Sequence, residues 1–198
     1  MMTGKKLIIS AVVLALVQIG FLSWIIAGRA AILRNGTEVL LKVEPVDPRD
    51  LLRGDYVRLG YEISTIPAKL VADLEAGRTK APVERILVRL KKDADGYWRP
   101  VSVFFGTPPS APGVDQADIA GSIPPGYIPA DHSFEPDATL SPDYGIERFY
   151  LPEGQGRAIE TDMRVRPFGV RVALAKDGTP QIKALVDGDK TLFEEPLY

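Results

Sequence analysis

Two stretches of the sequence combine carboxylates with tyrosines and arginines at short spacing. They are RGDYVRLGYE at residues 53–62 and YGIERFYLPEG at residues 144–154. Asp55, Glu147 and Glu153 could converge on a cation, because hard cations prefer carboxylate oxygens as ligands. Carboxylates that cap turns or lie on the surface are more common than such sites. We therefore predict neither a catalytic residue nor a metal site.

The tyrosines and arginines of these stretches favour a different chemistry, the recognition of another protein. Both residue types are enriched at the energetic centres of protein interfaces. A turn accounts for Gly54 and Asp55, because glycine accepts positive φ and an aspartate side chain bonds nearby N–H groups. A turn does not account for the remaining residues. We predict binding contacts from Asp55, Tyr56, Arg58, Tyr61, Tyr144, Glu147, Arg148 and Glu153.

Other enzyme chemistries find little support in the sequence. His132 is the single histidine and cysteine is absent, which argues against a histidine-based metal site, a Ser-His-Asp triad and a thiolate nucleophile. The segment GTPPSAPG at residues 106–113 lacks the Gly-Lys-Ser/Thr ending of a phosphate-binding loop. The sequence predicts no cofactor. A membrane-tethered hydrolase that uses a carboxylate site at Asp55 and Glu153 stays open as the alternative function.

An apolar run near the N-terminus predicts a membrane anchor. Residues 7–26 are all uncharged, and a helix of about 20 residues spans the roughly 30 Å hydrocarbon core of a lipid bilayer. A cleaved signal peptide is the alternative, although its apolar region is usually shorter. Lysines precede the run, which predicts a cytoplasmic segment 1–6, a transmembrane helix 7–28 and an extracytoplasmic domain 36–198.

Charge and composition limit the class of this domain. The chain has 24 basic and 26 acidic residues and a net charge of −2, whereas nucleic-acid binding needs a basic face. Nucleic acid is therefore excluded as a predicted partner. The 17 prolines and 18 glycines indicate many turns, and alternating apolar residues indicate strands. These features predict an α+β fold in which one transmembrane helix precedes a β-rich domain.

Similar predicted elements occur in the same order twice. The first set is strands at 36–48 and 56–63, a helix at 66–77 and a hairpin at 84–105, and the second is a strand at 143–151, a helix or helix-and-loop at 152–163 and a hairpin at 168–188. Asp-Gly turns at 95–96 and 177–178 and Asp-Tyr pairs at 55–56 and 143–144 recur at similar intervals. This order is a weak indication of two related strand-helix-hairpin halves, 36–105 and 119–188, with a Pro-rich loop at 106–142, and an order produced by chance is the alternative.

Alternation within each hairpin predicts which side chains face the core. Successive side chains of a strand point to opposite faces, so every second residue of a half-buried strand is apolar. The predicted inward residues are Ile86, Val88, Leu90, Val101, Val103, Phe105, Phe168, Val170, Val172 and Leu174.

The first stretch also carries a family signature. GDYVRLGY at residues 54–61 resembles the pattern that names the GDYXXLXY family of bacterial membrane-anchored proteins. The lead-in PVDPRDLLR at 45–53 and the block YGIERFY at 144–150, followed by PEG at 152–154, resemble the same family. The resemblance implies a single-pass protein of the bacterial inner membrane with a polytopic membrane protein as its partner. It implies no activity, because the family is uncharacterised.

Overall fold

A computed structural model describes residues 4–44, 56–72, 85–124, 134–135, 137–150 and 168–196. Its first element is helix α1, Gly4–Asn35, which is apolar around nearly its whole circumference and exposes most of its side chains. The helix has 32 residues and is long and apolar enough to cross a membrane. The predicted anchor, 7–28, falls inside this helix, which continues beyond it to Asn35.

Strands make up most of the chain after the helix. In the described residues they are β1 (Thr37–Glu44), β2 (Tyr56–Arg58), β3 (Gly60–Tyr61), β4 (Ile66–Pro67), β5 (Arg85–Lys92), β6 (Trp98–Phe104), β7 (Gln116–Ser122), β8 (Thr139–Leu140), β9 (Arg148–Tyr150), β10 (Gly169–Leu174), β11 (Pro180–Asp187) and β12 (Lys190–Glu194). Short 3₁₀ turns cover Glu62–Ser64 and Ala68–Leu70. The predicted α+β class, an apolar helix before a β-rich domain, is confirmed.

The strands form two sheets and two short ribbons, and their pairing is antiparallel. The larger sheet has the order β12-β11-β10-β1-β3 and the smaller has the order β6-β5-β7. The ribbons are β2–β9 and β4–β8. Apolar side chains from both sheets and both ribbons form one buried cluster, which includes Leu41, Val88, Leu140, Phe149 and Val172.

The end of helix α1 packs directly on the domain. Ala30 and Leu33 are buried against β10 and β11. Gly36 then starts the chain toward β1, and its N–H donates to the Ile32 carbonyl at 2.8 Å. A Cβ atom at Gly36 would lie 2.6 Å from that same oxygen and 2.9 Å from the Leu174 carbonyl oxygen. Only glycine fits between these two carbonyl groups. Because Gly36 is the single residue between α1 and β1, the helix and the sheet are joined without a linker.

Both predicted hairpins are present. Strands β5 and β6 turn at Asp95-Gly96, and β10 and β11 turn at Asp177-Gly178, with φ of 85° and 84° at the two glycines. The predicted inward residues are buried, with one exception. Val101 was predicted to face inward and is 37% exposed, because a bulge leaves it unpaired between Ser102, opposite Arg89, and Pro100, opposite Leu90.

Three other predicted elements need correction. The helix expected at 66–77 is wrong for its described part, because Ile66 and Pro67 pair with β8 as a strand and only a 3₁₀ turn follows. Of the strand expected at 143–151, the described part contains only β9, since Gly145 N–H donates to the Asp143 carboxylate in a turn before it. The loop expected at 106–142 contains β7 and β8. The element predicted at 152–163 lies outside the described residues.

Strand β7 was missed from the sequence because its side chains are small. It reads QADIAGS, so Ile119 is its single large apolar residue. It nevertheless pairs along its full length with β5, from Gln116 opposite Lys91 to Ser122 opposite Arg85. Small side chains weaken the alternation that marks a strand, while the ladder itself depends on backbone groups.

The pairing pattern of the domain repeats itself. The bulge after Arg89 in the first hairpin recurs after Arg171 in the second, at the same interval that separates Gly96 from Gly178. Strand β1 pairs with β10 of the second hairpin, and β7 reciprocally pairs with β5 of the first. Each hairpin is thus extended by the strand that belongs to the other. The boundaries 36–105 and 119–188 remain predictions, because parts of both halves, such as residues 73–84 and 151–167, are not described.

Each of the two ribbons likewise pairs a strand from the first half of the domain with a strand from the second half. Tyr56 lies opposite Tyr150 in β2–β9, and Thr139 lies opposite Pro67 in β4–β8. The interval in sequence from Tyr56 to Thr139 equals the interval from Pro67 to Tyr150, and we call it the repeat interval. The same interval relates the next pairs along each ladder, Val57 opposite Phe149 and Leu140 opposite Ile66. The two ribbons therefore share these two pairs, and β2–β9 has a third pair, Arg58 opposite Arg148.

Candidate docking site

Two buried tyrosines tie the motif blocks together reciprocally. The Tyr61 hydroxyl donates to the Ile146 carbonyl at 2.6 Å, and the Tyr144 hydroxyl donates to the Ile63 carbonyl at 2.9 Å. The two tyrosines are only 1% and 5% exposed. Burial, and secondarily the charge of Glu147, raises the pKa of each phenol. Each hydroxyl therefore stays protonated and serves as a donor, which is a structural task.

The backbone of each tyrosine is capped by the side chain three positions later. Ser64 Oγ accepts from the Tyr61 N–H at 3.1 Å, and Glu147 Oε1 accepts from the Tyr144 N–H at 2.7 Å. Tyr61 and Tyr144 are thus equivalent, and they too are separated by the repeat interval. The sequence suggested a different correspondence, in which the two Asp-Tyr pairs match and Tyr56 corresponds to Tyr144. That alignment is wrong.

Glu147 is a half-buried carboxyl whose pKa lies above its usual value. Burial is the main cause, and a hydrogen bond and charge interaction with Asp143 act in the same direction. The bond from the Tyr144 N–H opposes the shift, because it stabilises the carboxylate. The backbone carbonyl of Glu147 also accepts from the Leu59 N–H at 2.9 Å. Glu147 is therefore engaged with the protein itself through two of its groups.

The outer face of the β2–β9 ribbon has the exposed groups. In β9 Phe149 is buried, while Arg148 and Tyr150 on either side of it are exposed, Tyr150 to 69%. Arg58, also exposed, lies directly opposite Arg148 in the ladder. We name Arg58, Arg148 and Tyr150 the arginine–tyrosine face. Tyr150 was missing from the predicted contacts, although its alternation with Phe149 puts it on the same side as Arg148.

Two like charges directly opposite each other in a ladder work against folding, typically by a few tenths to about 1 kcal/mol per pair. Within the part of the chain that the structure describes, Arg58 has no hydrogen-bond or ionic partner to offset this cost. Arg58 is thus a residue whose position the stability of the ribbon does not explain within the described part of the chain.

The equivalent face of the β4–β8 ribbon is neutral. The repeat interval relates Arg148 to Thr65 and Arg58 to Ser141, while Tyr150 corresponds to Pro67. These three equivalents are exposed, Thr65 and Ser141 just outside the strands, and the neighbouring residues Ile66 and Leu140 are buried. The same ribbon can therefore be built without arginine or tyrosine on its surface.

Not all the predicted contact residues can be placed. The structure puts Tyr61 and Tyr144 in the core, Glu147 at its margin, and Arg58 and Arg148 on the surface. Tyr56 is placed by its backbone, opposite Tyr150. Asp55 and Glu153 lie outside the described residues, so their predicted convergence with Glu147 is not addressed. Across the described ranges no group of three or more His, Asp or Glu residues could hold a metal ion.

Comparison with known families places the chain. A protein-family model described as GDYXXLXY protein matches residues 18–185, most of the chain. The chain belongs to the GDYXXLXY family. Comparisons with curated proteins and with solved structures gave no match.

Two residues of the pattern that names the GDYXXLXY family have a structural role in this protein. The leucine of the pattern is Leu59 and its final tyrosine is Tyr61, both 1% exposed. Arg58 falls at a position that the name leaves open. The family name therefore does not specify the arginine–tyrosine face, whereas Leu59 and Tyr61, which it does specify, belong to the buried core.

Proposed function

We propose that this GDYXXLXY protein is a membrane-anchored docking subunit that binds a polytopic membrane protein through the arginine–tyrosine face. The observation that carries the proposal is the exposed Arg58–Arg148 pair beside Tyr150, on a ribbon whose equivalent manages without them. Arginine and tyrosine supply the hydrogen-bonding forks and the rigid contact area that dominate interface energies. A partner that binds Arg58 would offset the like-charge cost and gain affinity.

The proposed location is the bacterial inner membrane, with helix α1 as an uncleaved anchor and the β-rich domain outside the cytoplasm. The apolar exterior of the helix supports insertion, because a bilayer covers surface that water would not. The burial of Ala30 and Leu33 supports retention of the helix, since removal would uncover their contacts with the sheet. Lys5 and Lys6 before the apolar run support a cytoplasmic N-terminus.

The location is tested by fractionation and a reporter. We expect the full-length protein to stay with membranes through high-salt and carbonate washes. An alkaline phosphatase fused after Tyr198 should be active, because that enzyme matures only outside the cytoplasm. A washed-off protein would contradict the anchor, and an inactive fusion present in normal amounts would contradict the orientation.

Docking is tested by photo-crosslinking in native membranes. Benzoylphenylalanine at Tyr150 should give a discrete crosslinked product that mass spectrometry identifies as a membrane protein. The same amino acid at Pro67, the equivalent exposed position of the other ribbon, is the matched control and should give none. Equal products from both positions, or none from either, would contradict docking through this face.

The alternative of a carboxylate hydrolase has no observation in its favour within the described ranges. Asp55 and Glu153, the two acids of that hypothesis, lie outside the described residues. Glu147, the third acid of the candidate cation site, accepts from the Tyr144 N–H through Oε1 and interacts with Asp143. We therefore carry only the docking proposal forward.

A further inference from the structure

We infer that the face of helix α1 that carries Gln18 pairs with a second copy of this chain inside the membrane. In this dimer the two glutamine amides lie side by side and bond each other. The inference goes beyond the docking function and rests only on the proposed membrane location of α1.

Gln18 places an amide near the middle of the apolar run. Residues 7–26 are uncharged, and Gln18 lies about 2 Å from their midpoint at roughly 1.5 Å per helical residue. Its side chain is exposed, and among the described residues it has no hydrogen-bond partner. By contrast, the Ser10 hydroxyl of the same run donates to the Lys6 carbonyl of its own helix at 2.7 Å. An amide left unpaired in hydrocarbon is costly, so Gln18 favours association with a polar group at the same depth.

The chemistry of the amide identifies the occupant as a second copy. An amide has both donors and acceptors, so two glutamines can each donate to the carbonyl oxygen of the other. Two copies that insert in the same direction bring Gln18 to the same depth without any further requirement. A helix of another protein would need a polar group of its own at that depth, and lipid chains have none to offer. The amide is therefore complementary to itself across a two-fold axis.

Helix geometry defines the face around Gln18. Ala11 and Ile25 lie seven residues before and after it, about 20° away around the helix axis, and both are exposed. A seven-residue spacing is typical of helices that pack along their length, with a polar residue that sets the register. Ala30 and Leu33, which the domain buries, lie about 120° and 60° around the axis from Gln18.

The rigid junction at Gly36 fixes the direction in which the domain extends from this face. Because helix and sheet are joined without a linker, the domain stays on the side of Ala30 and Leu33. Two copies related by a two-fold axis beside Gln18 would thus carry their domains to opposite sides of the helix pair.

The face is tested by cysteine crosslinking of the full-length protein in native membranes. The chain has no cysteine, so each variant has a single thiol. After oxidation with copper phenanthroline, A11C and I25C should give disulfide-linked dimers. The matched controls are I9C and A27C, which lie on the opposite side of the helix, about 180° from Gln18, at nearly the same depths. They should give little or no dimer.

The amide is tested by energy transfer between donor-labelled and acceptor-labelled full-length protein in phosphatidylcholine vesicles. As the ratio of protein to lipid is varied, Gln18→Leu should associate about three- to tenfold more weakly than the wild type. Gln18→Asn keeps an amide and should retain most of the association. Ser23→Ala is the matched control, since it removes a hydroxyl of the same run from nearly the opposite side, and it should leave the association unchanged.

Three results would overturn the inference. They are equal crosslinking from both sides of the helix, unchanged association of Gln18→Leu, and a crosslinked product from A11C or I25C that contains a different protein instead of a second copy. A protein that washes off membranes would reject the proposed location together with this inference, whereas a protein that stays and remains monomeric would reject this inference alone. The crosslink from Tyr150 tests docking independently of the dimer.

Discussion

The β2–β9 and β4–β8 ribbons share two equivalent backbone pairs and have different exposed faces. One presents two arginines and a tyrosine, and the other presents Thr65, Pro67 and Ser141 at the equivalent positions. Beneath both faces lie buried apolar residues, such as Phe149 in one and Leu140 in the other. The buried side of each ribbon therefore serves the shared frame, while the exposed side is free to differ. This is where a docking surface can be added with little loss of stability.

The largest expected effects concern the reciprocal tyrosines, which belong to the shared frame. Tyr61→Ala and Tyr144→Ala should each lower the free energy of unfolding by roughly 3–5 kcal/mol, because each opens a core cavity. The corresponding phenylalanine variants should cost about 1 kcal/mol each, since each leaves a carbonyl without its donor. Urea unfolding of the full-length protein in detergent measures both. Strongly unequal losses for the two phenylalanine variants would break the equivalence of the halves.

The two hairpin turns give a sharper contrast of intermediate size. An alanine at Gly96 or Gly178 must adopt positive φ, at a cost of about 1–2 kcal/mol. At Gly178 the new Cβ would also lie 3.0 Å from the Ala120 nitrogen and the Asp118 carbonyl oxygen, whereas nothing lies within 4 Å at Gly96. We expect Gly178→Ala to cost about 1–3 kcal/mol more than Gly96→Ala in the same unfolding assay. Equal costs would mean that the second turn is free to move off β7.

The two capping side chains differ in their response to pH. Folding raises the pKa of Glu147 above its unfolded value of about 4.3. A raised pKa contributes stability below the unfolded value, and this contribution is lost as pH rises through the folded value. Relative to Glu147→Gln, the wild type should therefore lose stability as pH increases from about 4 upward. Unfolding curves at several pH values measure this difference. The difference in stability between the wild type and Ser64→Ala should not change with pH in this way. If the wild type instead gained stability relative to Glu147→Gln as pH increases, the raised pKa would be contradicted.

The smallest expected stability effects are on the exposed faces. Arg58→Thr should change the free energy of unfolding by less than about 1 kcal/mol, in the stabilising direction at low salt, because it removes the like-charge pair. The T65R/S141R variant, which adds two arginines beside the β4–β8 ladder, should cost no more than this amount, because these positions flank the paired residues. Thermal unfolding at low and high salt tests both. A large loss from Arg58→Thr would show that the arginine holds the fold and would remove the main support for docking.

Patterns confined to neighbouring residues were enough to predict the helix and the hairpins. An uninterrupted apolar run predicts a helix suited to a membrane wherever it occurs. Alternation around an Asp-Gly turn predicts a hairpin, and here it also identified nearly all of the inward side chains of the two hairpins. The exception, Val101, lies at a bulge whose position depends on pairing with Arg89 and Leu90.

Long-range pairing decided what the sequence patterns predicted wrongly. Ile66 and Pro67 carry a helical pattern in the sequence, yet they pair with strand β8, which lies far along the chain at Thr139–Leu140. Strand β7 has mostly small side chains and is recognisable only by its ladder with β5. Neither result is accessible from a local window, because the backbone groups that decide it belong to distant segments.

The same distinction between local sequence patterns and long-range pairing applies to the candidate site. By itself the sequence determined that tyrosines and arginines cluster in two motif blocks, and the family pattern marks the first of them. Only the tertiary structure decided that Tyr61 and Tyr144 turn inward to bond each other's block, and that Arg58 and Arg148 face each other outside. The physical reason is that burial and like-charge opposition are properties of pairs of strands, and the paired strands come from distant parts of the chain.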